Sequence, residues 1–101
     1  MSKEYVYTRP MRTGVWFDDE RMYSEMFIKA STEHIRGKIH DLGRVFLNEV
    51  LEIYGYPQIP AGQCVGWDHG EVVIECDWEN ETITFRCEEI LSRWIKEVEK
   101  K

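Results

Sequence analysis

Three cysteines and three histidines are the first residues to ask for chemistry: Cys64, Cys76 and Cys87, with His34, His40 and His69. Zinc modules bring their thiolates together in close pairs. Here the cysteines stand 12 and 11 residues apart, so no metal site is expected. Cys64 and His69 have the composition of a nucleophile and its base. Such a pair needs hydrogen-bond reach and an oxyanion donor, and the sequence displays neither. His34 and His40 are six residues apart. On a continuous helix about 600° of turn separates them, which is poor geometry for a two-histidine nuclease. No GxGxxG, P-loop, HExxH or CxxC occurs. The expectation is a protein with no catalytic residue, metal or cofactor.

The charged residues say more. The net charge is −6, and it is unevenly placed. Residues 1–50 carry eight Lys/Arg and eight Asp/Glu; residues 51–101 carry five and eleven. Between 68 and 89 eight acids face Arg86 alone. Such a surface repels a nucleic-acid backbone and attracts basic protein surfaces, so nonspecific DNA or RNA binding is not expected. Glu75, Asp77, Glu79 and Glu81 lie at alternate positions, and Glu71 falls on the same alternation with Val73 between. On a strand that spacing is roughly 6.5–7 Å, comparable to phosphates along one nucleic-acid strand. The row fits a groove built for a phosphate backbone, and it also fits a solvated face that keeps a small protein soluble. Glu88 and Glu89 extend it. Among the aromatics, Trp67 and Tyr56 lie in or beside loops, where they serve either as contact anchors or as covers for one end of the core.

The elements that must position these groups follow from periodicity. Val72, Ile74, Cys76 and Trp78 alternate with polar residues, and so do Ile83, Phe85 and Cys87. A turn at Glu79-Asn80 sets Cys76 opposite Ile83 and Ile74 opposite Phe85 on one face. Asp77 with Thr82, Glu75 with Thr84 and Val73 with Arg86 share the other. A one-residue slip would throw the apolar set into water. Residues 63–67 are a further strand. The segments 4–8 and 13–17 are shorter strand candidates, with Pro10 barring a long helix between them. Helical spacing runs over about 19–42, ending at Gly43, and over 44–54, ending at Gly55. A third helix is expected at about 88–99, with Glu88 and Glu89 in its first turn and Lys100 and Lys101 at its end. The expected architecture is one α+β domain over residues 1–101. It has a small antiparallel sheet built on the 71–78/82–87 hairpin, with about three helices packed on one face. A chain of 101 residues supports one modest core. No apolar run approaches the roughly 20 residues that span a bilayer, and the first residues show no secretory pattern. Three cysteines do not form a disulfide framework. A cytoplasmic location is expected.

From Met26 to Trp67 the chain reads MFIKASTEHIRGKIHDLGRVFLNEVLEIYGYPQIPAGQCVGW. This resembles an uncharacterised module of phage and mobile-element proteins of Firmicutes bacteria, most tellingly in Gly43–Trp67. Related chains tend to carry a longer polar insertion after the Gly-Trp, where only Asp68-His69-Gly70 stands here. The resemblance implies a mobile-element gene acting in a bacterial host. In size and charge the protein is also similar to anti-CRISPR inhibitors. Together these point to a monomer or small oligomer that inhibits a Cas9-type effector. Its acidic face would dock on a basic nucleic-acid or guide-RNA channel. A phage assembly protein, or a small ribonuclease using His34, His40 or His69, are the alternatives.

Overall fold

The computed structural model describes residues 4–69 and 72–91. In chain order these form β1 (Glu4–Pro10), a 3-10 turn (Met11–Thr13), α1 (Arg21–Leu42), β2 (Val45–Phe46) and α2 (Leu47–Tyr54). A second 3-10 turn (Pro60–Gln63), β3 (Val65–Trp67), β4 (Val73–Asp77) and β5 (Thr82–Glu89) follow. The domain is α+β, with one five-stranded antiparallel sheet and two helices among the described residues.

β5 is the axis of the sheet. β1 lies along one side of it, from Glu4 opposite Glu88 to Pro10 opposite Thr82. β4 and β3 lie along the other side, end to end. β4 pairs Val73–Asp77 with Arg86–Thr82, and β3 pairs Val65 and Gly66 with Glu89 and Glu88. β2 continues the sheet beyond β3. The hairpin register is the one expected from alternation: Cys76 opposite Ile83, Ile74 opposite Phe85, Glu75 opposite Thr84. Ile83, Phe85 and Cys87 are buried, while Thr82, Thr84 and Arg86 point the other way and are half-exposed.

α2 places Tyr54 on the buried face of the sheet. Tyr54 meets Phe85, Phe27 and Trp16 edge-on, with ring centroids 5.4, 5.2 and 5.6 Å apart. Each such contact adds about 0.5–1.5 kcal/mol beyond simple burial. Phe27 and Ser31 bring α1 onto this cluster, and the Ser31 and Tyr54 hydroxyls lie 2.5 Å apart. Gly43 and Gly55 close the two helices in the left-handed region, at φ 87° and 83°, as their positions suggested.

Several expectations are corrected. Glu88 and Glu89 belong to β5 rather than to a helix; they pair with Glu4, Gly66 and Val65. Residues 92–99 of the expected third helix lie outside the described residues. α2 begins at Leu47, not Arg44, because Val45 and Phe46 pair with Trp67 and Gly66. The segment 13–17 is not a strand: Pro10 ends β1, and a tight turn then sends Trp16 into the core. On α1 the buried positions are Ser24, Ser31 and Ile35, whereas Met22, Tyr23 and Met26 are exposed. Small hydroxyls let the helix approach the aromatic cluster, and each has a partner. Ser24 exchanges hydrogen bonds with the backbone of Asp18, and Ser31 bonds Tyr54 and the Ile28 carbonyl. The hairpin turn is a four-residue loop in which Glu81 takes positive φ (54°). Glu81 is held there because its carbonyl accepts the Met11 N–H and its carboxylate is clamped by Arg12.

Candidate interaction surface

The sheet has one face under the helices and one face open. Along the open face run Val6 and Thr8 of β1, Thr82, Thr84 and Arg86 of β5, and Val73, Glu75 and Asp77 of β4. Period-two alternation puts them there: their neighbours Ile74, Ile83 and Phe85 are the residues that pack inward. Thr8 and Thr84 share a cross-strand hydrogen bond of 2.9 Å. At one end the hairpin loop Trp78–Glu81 projects the remaining acids.

The carboxylate row is present but it is not bare. Arg86 donates to Glu75 at 2.5 Å and to Glu4 at 3.3 Å. Arg12 grips Glu81 with two bonds, 2.7 and 3.0 Å, and reaches Asp19 at 3.3 Å. Those bonds to Arg12 hold the Glu81 carboxyl below its usual range. Asp77 accepts the Asn80 side-chain amide at 2.7 Å and the Asn80 N–H at 3.2 Å. These bonds likewise favour its ionised form. Glu79 is exposed at the tip. Arg12 and Arg86 thus pair with Asp19, Glu81, Glu4 and Glu75, and these four acids together with Asp77 and Glu79 leave four net negative charges among these eight described residues. Glu88 and Glu89 sit half-exposed at the far end of β5, and Glu71 lies outside the described residues.

Trp67 and Tyr56 are not contact anchors. Trp67 is 4% exposed and Tyr56 3% exposed. The Trp67 indole donates to the Arg86 carbonyl at 2.8 Å, beside the junction where β3 and β4 abut on β5. The Tyr56 hydroxyl accepts from the Trp16 indole and donates to the Pro10 carbonyl, both at 2.9 Å. Their polar atoms are spent inside the fold, so they cover the ends of the core.

The groups first suspected of chemistry are scattered. Cys87 is buried and Cys76 half-buried, and burial pushes their thiols up to about 12 and about 11. A thiol held protonated is a weak nucleophile. His69 bonds Asp68 at 2.6 Å, and His34 and His40 are exposed on α1. Among the described residues no three His, Cys, Asp or Glu converge as metal ligands. No helix among them is long and apolar enough to cross a membrane.

On the other side of β4 lies a feature that the sequence did not reveal. A groove of about 300 Å³ runs between α1 and β4, lined by Glu25, Ile28, Lys29, Ile74, Cys76 and Trp78. The Arg21 guanidinium lies 4.6 Å from the centre of the Trp78 ring. Ile28 and Cys76 are 48 residues apart, and their meeting depends on how α1 crosses the sheet.

Fold and surface together define a small α+β domain with an open, acid-rich sheet face and a mixed polar and apolar groove beside its edge strand. Over residues 4–99 the chain matches a family of unknown function, DUF6353, and it belongs to that family. No curated protein and no solved structure matches it.

Proposed function

We propose that the protein is a mobile-element-encoded, non-enzymatic inhibitor that binds a host nucleic-acid-handling protein, with a Cas9-type CRISPR effector as its target. The hairpin tip docks on the basic channel that holds the guide–target heteroduplex. The observation that carries this reading is the Asp77 carboxylate held at that tip, with the exposed Glu79 two residues on. Asp77 is fixed by Asn80 and held ionised. Preset charges of this kind steer association with a basic surface. The resemblance to phage and mobile-element modules supports the bacterial host.

The test mixes the purified protein with a type II effector, with and without guide RNA, and follows DNA cleavage and co-elution. The expected result is inhibition with complex formation, weakened by salt. Asp77→Lys with Glu79→Lys should abolish it in a folded protein. Inhibition untouched by that pair overturns the acidic-tip mechanism, and a shortened guide RNA replaces it with a nuclease.

One observation favours a second reading, a phage assembly protein. Met22, Tyr23 and Met26 form an exposed apolar strip on α1, at 60, 54 and 59% exposure. Light scattering that finds a large homo-oligomer, lost on Met22→Glu with Met26→Glu, would favour it.

A further inference from the structure

β4 is an edge strand. Among the described residues it pairs only with β5, so its second row of backbone groups faces outward. Such an edge is a template for another strand. The side chains flanking this one differ sharply by face. Ile74, Cys76 and Trp78 line the groove under α1, while Glu75 and Asp77 stand on the open face. A strand laid along β4, about 4.8 Å away, would place alternate side chains in these two environments.

Charge decides what such a strand is. A second copy pairing antiparallel through β4 would bring the Glu75 and Asp77 of the two chains against one another, and like charges across a ladder destabilise it. A strand alternating apolar and basic residues meets the opposite situation. Its apolar residues enter the groove between Ile28 and Ile74, and its lysines or arginines lie beside Glu75 and Asp77. Glu25 and Lys29 also line the groove, and Glu25 is paired with Arg21 at 3.3 Å, so Glu75 and Asp77 are the carboxylates that set the preference. We infer that β4 is a docking edge for an extended segment of a partner protein with alternating apolar and basic side chains. This rests on the functional reading above, and it names the part of the target that the hairpin grips.

The probe is an eight-residue peptide of alternating lysine and valine, blocked at both ends. Its control carries the same side chains with backbone N-methyl groups on one edge. Binding is followed by fluorescence anisotropy, and amide exchange is read residue by residue by NMR. The expected result is saturable binding that protects alternate amides within Val73–Asp77. The N-methylated control should bind about tenfold more weakly or worse, as expected for losing one or more strand hydrogen bonds. Asp77→Lys should weaken the parent peptide as well, with Glu75→Gln as a milder companion if that variant folds poorly. Equal binding of the two peptides overturns the inference, because charge alone then accounts for it. Protection confined to β1 or to α1 also overturns it. So does exchange protection of every β4 amide in the free protein, whether from a second copy or from residues 92–101. Peptide docking on β4 without any effect on the effector leaves the edge standing and rejects the effector. Inhibition without β4 protection does the reverse.

Discussion

The side-chain amide of Asn48 pairs with both backbone groups of Ile59. Its Nδ2 donates to the Ile59 carbonyl and its Oδ1 accepts the Ile59 N–H, each at 2.9 Å. One residue of α2 thereby fixes the Pro-rich loop that leads into β3. Asn48 is 8% exposed, so neither backbone group has easy recourse to water if the amide is lost. Asn48→Ala should cost about 2–4 kcal/mol, the price of leaving two shielded backbone groups unpaired. Asn48→Asp should also destabilise, because it keeps the acceptor, loses the donor and brings a charge into a shielded site. Thermal unfolding of both variants checks this.

Two glycine-to-alanine changes should have opposite signs. At Gly66 a Cβ would collide with the Val45 carbonyl and the Phe46 Cα, so the β2–β3 pairing must open. Gly66→Ala should destabilise by roughly 1–3 kcal/mol or more. At Gly37, within exposed α1, a Cβ meets nothing within 4 Å. Gly37→Ala should stabilise by about 0.5–1 kcal/mol through helix propensity alone. Denaturant midpoints of the two variants decide it.

Alkaline pH should unfold the protein. Burial raises the Tyr54 hydroxyl from 10.0 to about 12, and the Cys76 and Cys87 thiols from 9.0 to about 11 and about 12. All three are raised, so the folded state favours the protonated forms. Their contribution is therefore complete below pH 9, the lowest of the unfolded values, and is lost as pH climbs through 11–12. The melting temperature should be level from pH 7 to 8.5 and fall steeply above about pH 9.5. Cys87→Ala should flatten that fall. A melting temperature independent of pH up to 11 would contradict the placement of these groups.

Arg86 restrains the acidic face that the proposed function uses. It is bonded to both Glu75 and Glu4 on exposed ground, where ion pairs contribute little to stability. Arg86→Gln should leave the melting temperature nearly unchanged. It should also strengthen binding of the lysine–valine peptide and steepen its salt dependence, because two carboxylates lose their internal counter-charge. Unchanged peptide affinity would show that this face is not where basic segments bind.

What could be read from the chain depended on the range of the interaction. The β4–β5 hairpin is a local object: both strands alternate, they are joined by four residues, and only one register buries Ile74, Ile83 and Phe85 together. Gly43 and Gly55 marked their helix ends for equally local reasons. The buried positions of α1 were not legible, because Ser24 and Ser31 are polar by type, and only Asp18 and Tyr54 make them core residues. Of the acid row, Glu71 lies outside the described residues, and the charge of the rest is partly offset. Its second guanidinium, Arg12, comes from 69 residues before Glu81, and no pattern in the chain announces that meeting. Trp67 and Tyr56 sat beside loops in sequence and so looked available. Their indole and hydroxyl partners, the Arg86 carbonyl and Trp16, are 19 and 40 residues away.

Every strand of the sheet except β2 pairs directly with β5, and β5 is the last to be made. While the chain grows on a ribosome, β1 and β4 have no partner strand until β5 has emerged, and β3 has only the two-residue β2. β1 waits longest, since its Glu4 pairs with Glu88. Contacts this distant along the chain slow folding and leave apolar strands uncovered in the meantime. Nascent chains truncated before Thr82 should be held by chaperones and lack protease resistance, which should arise in a single step once β5 is complete.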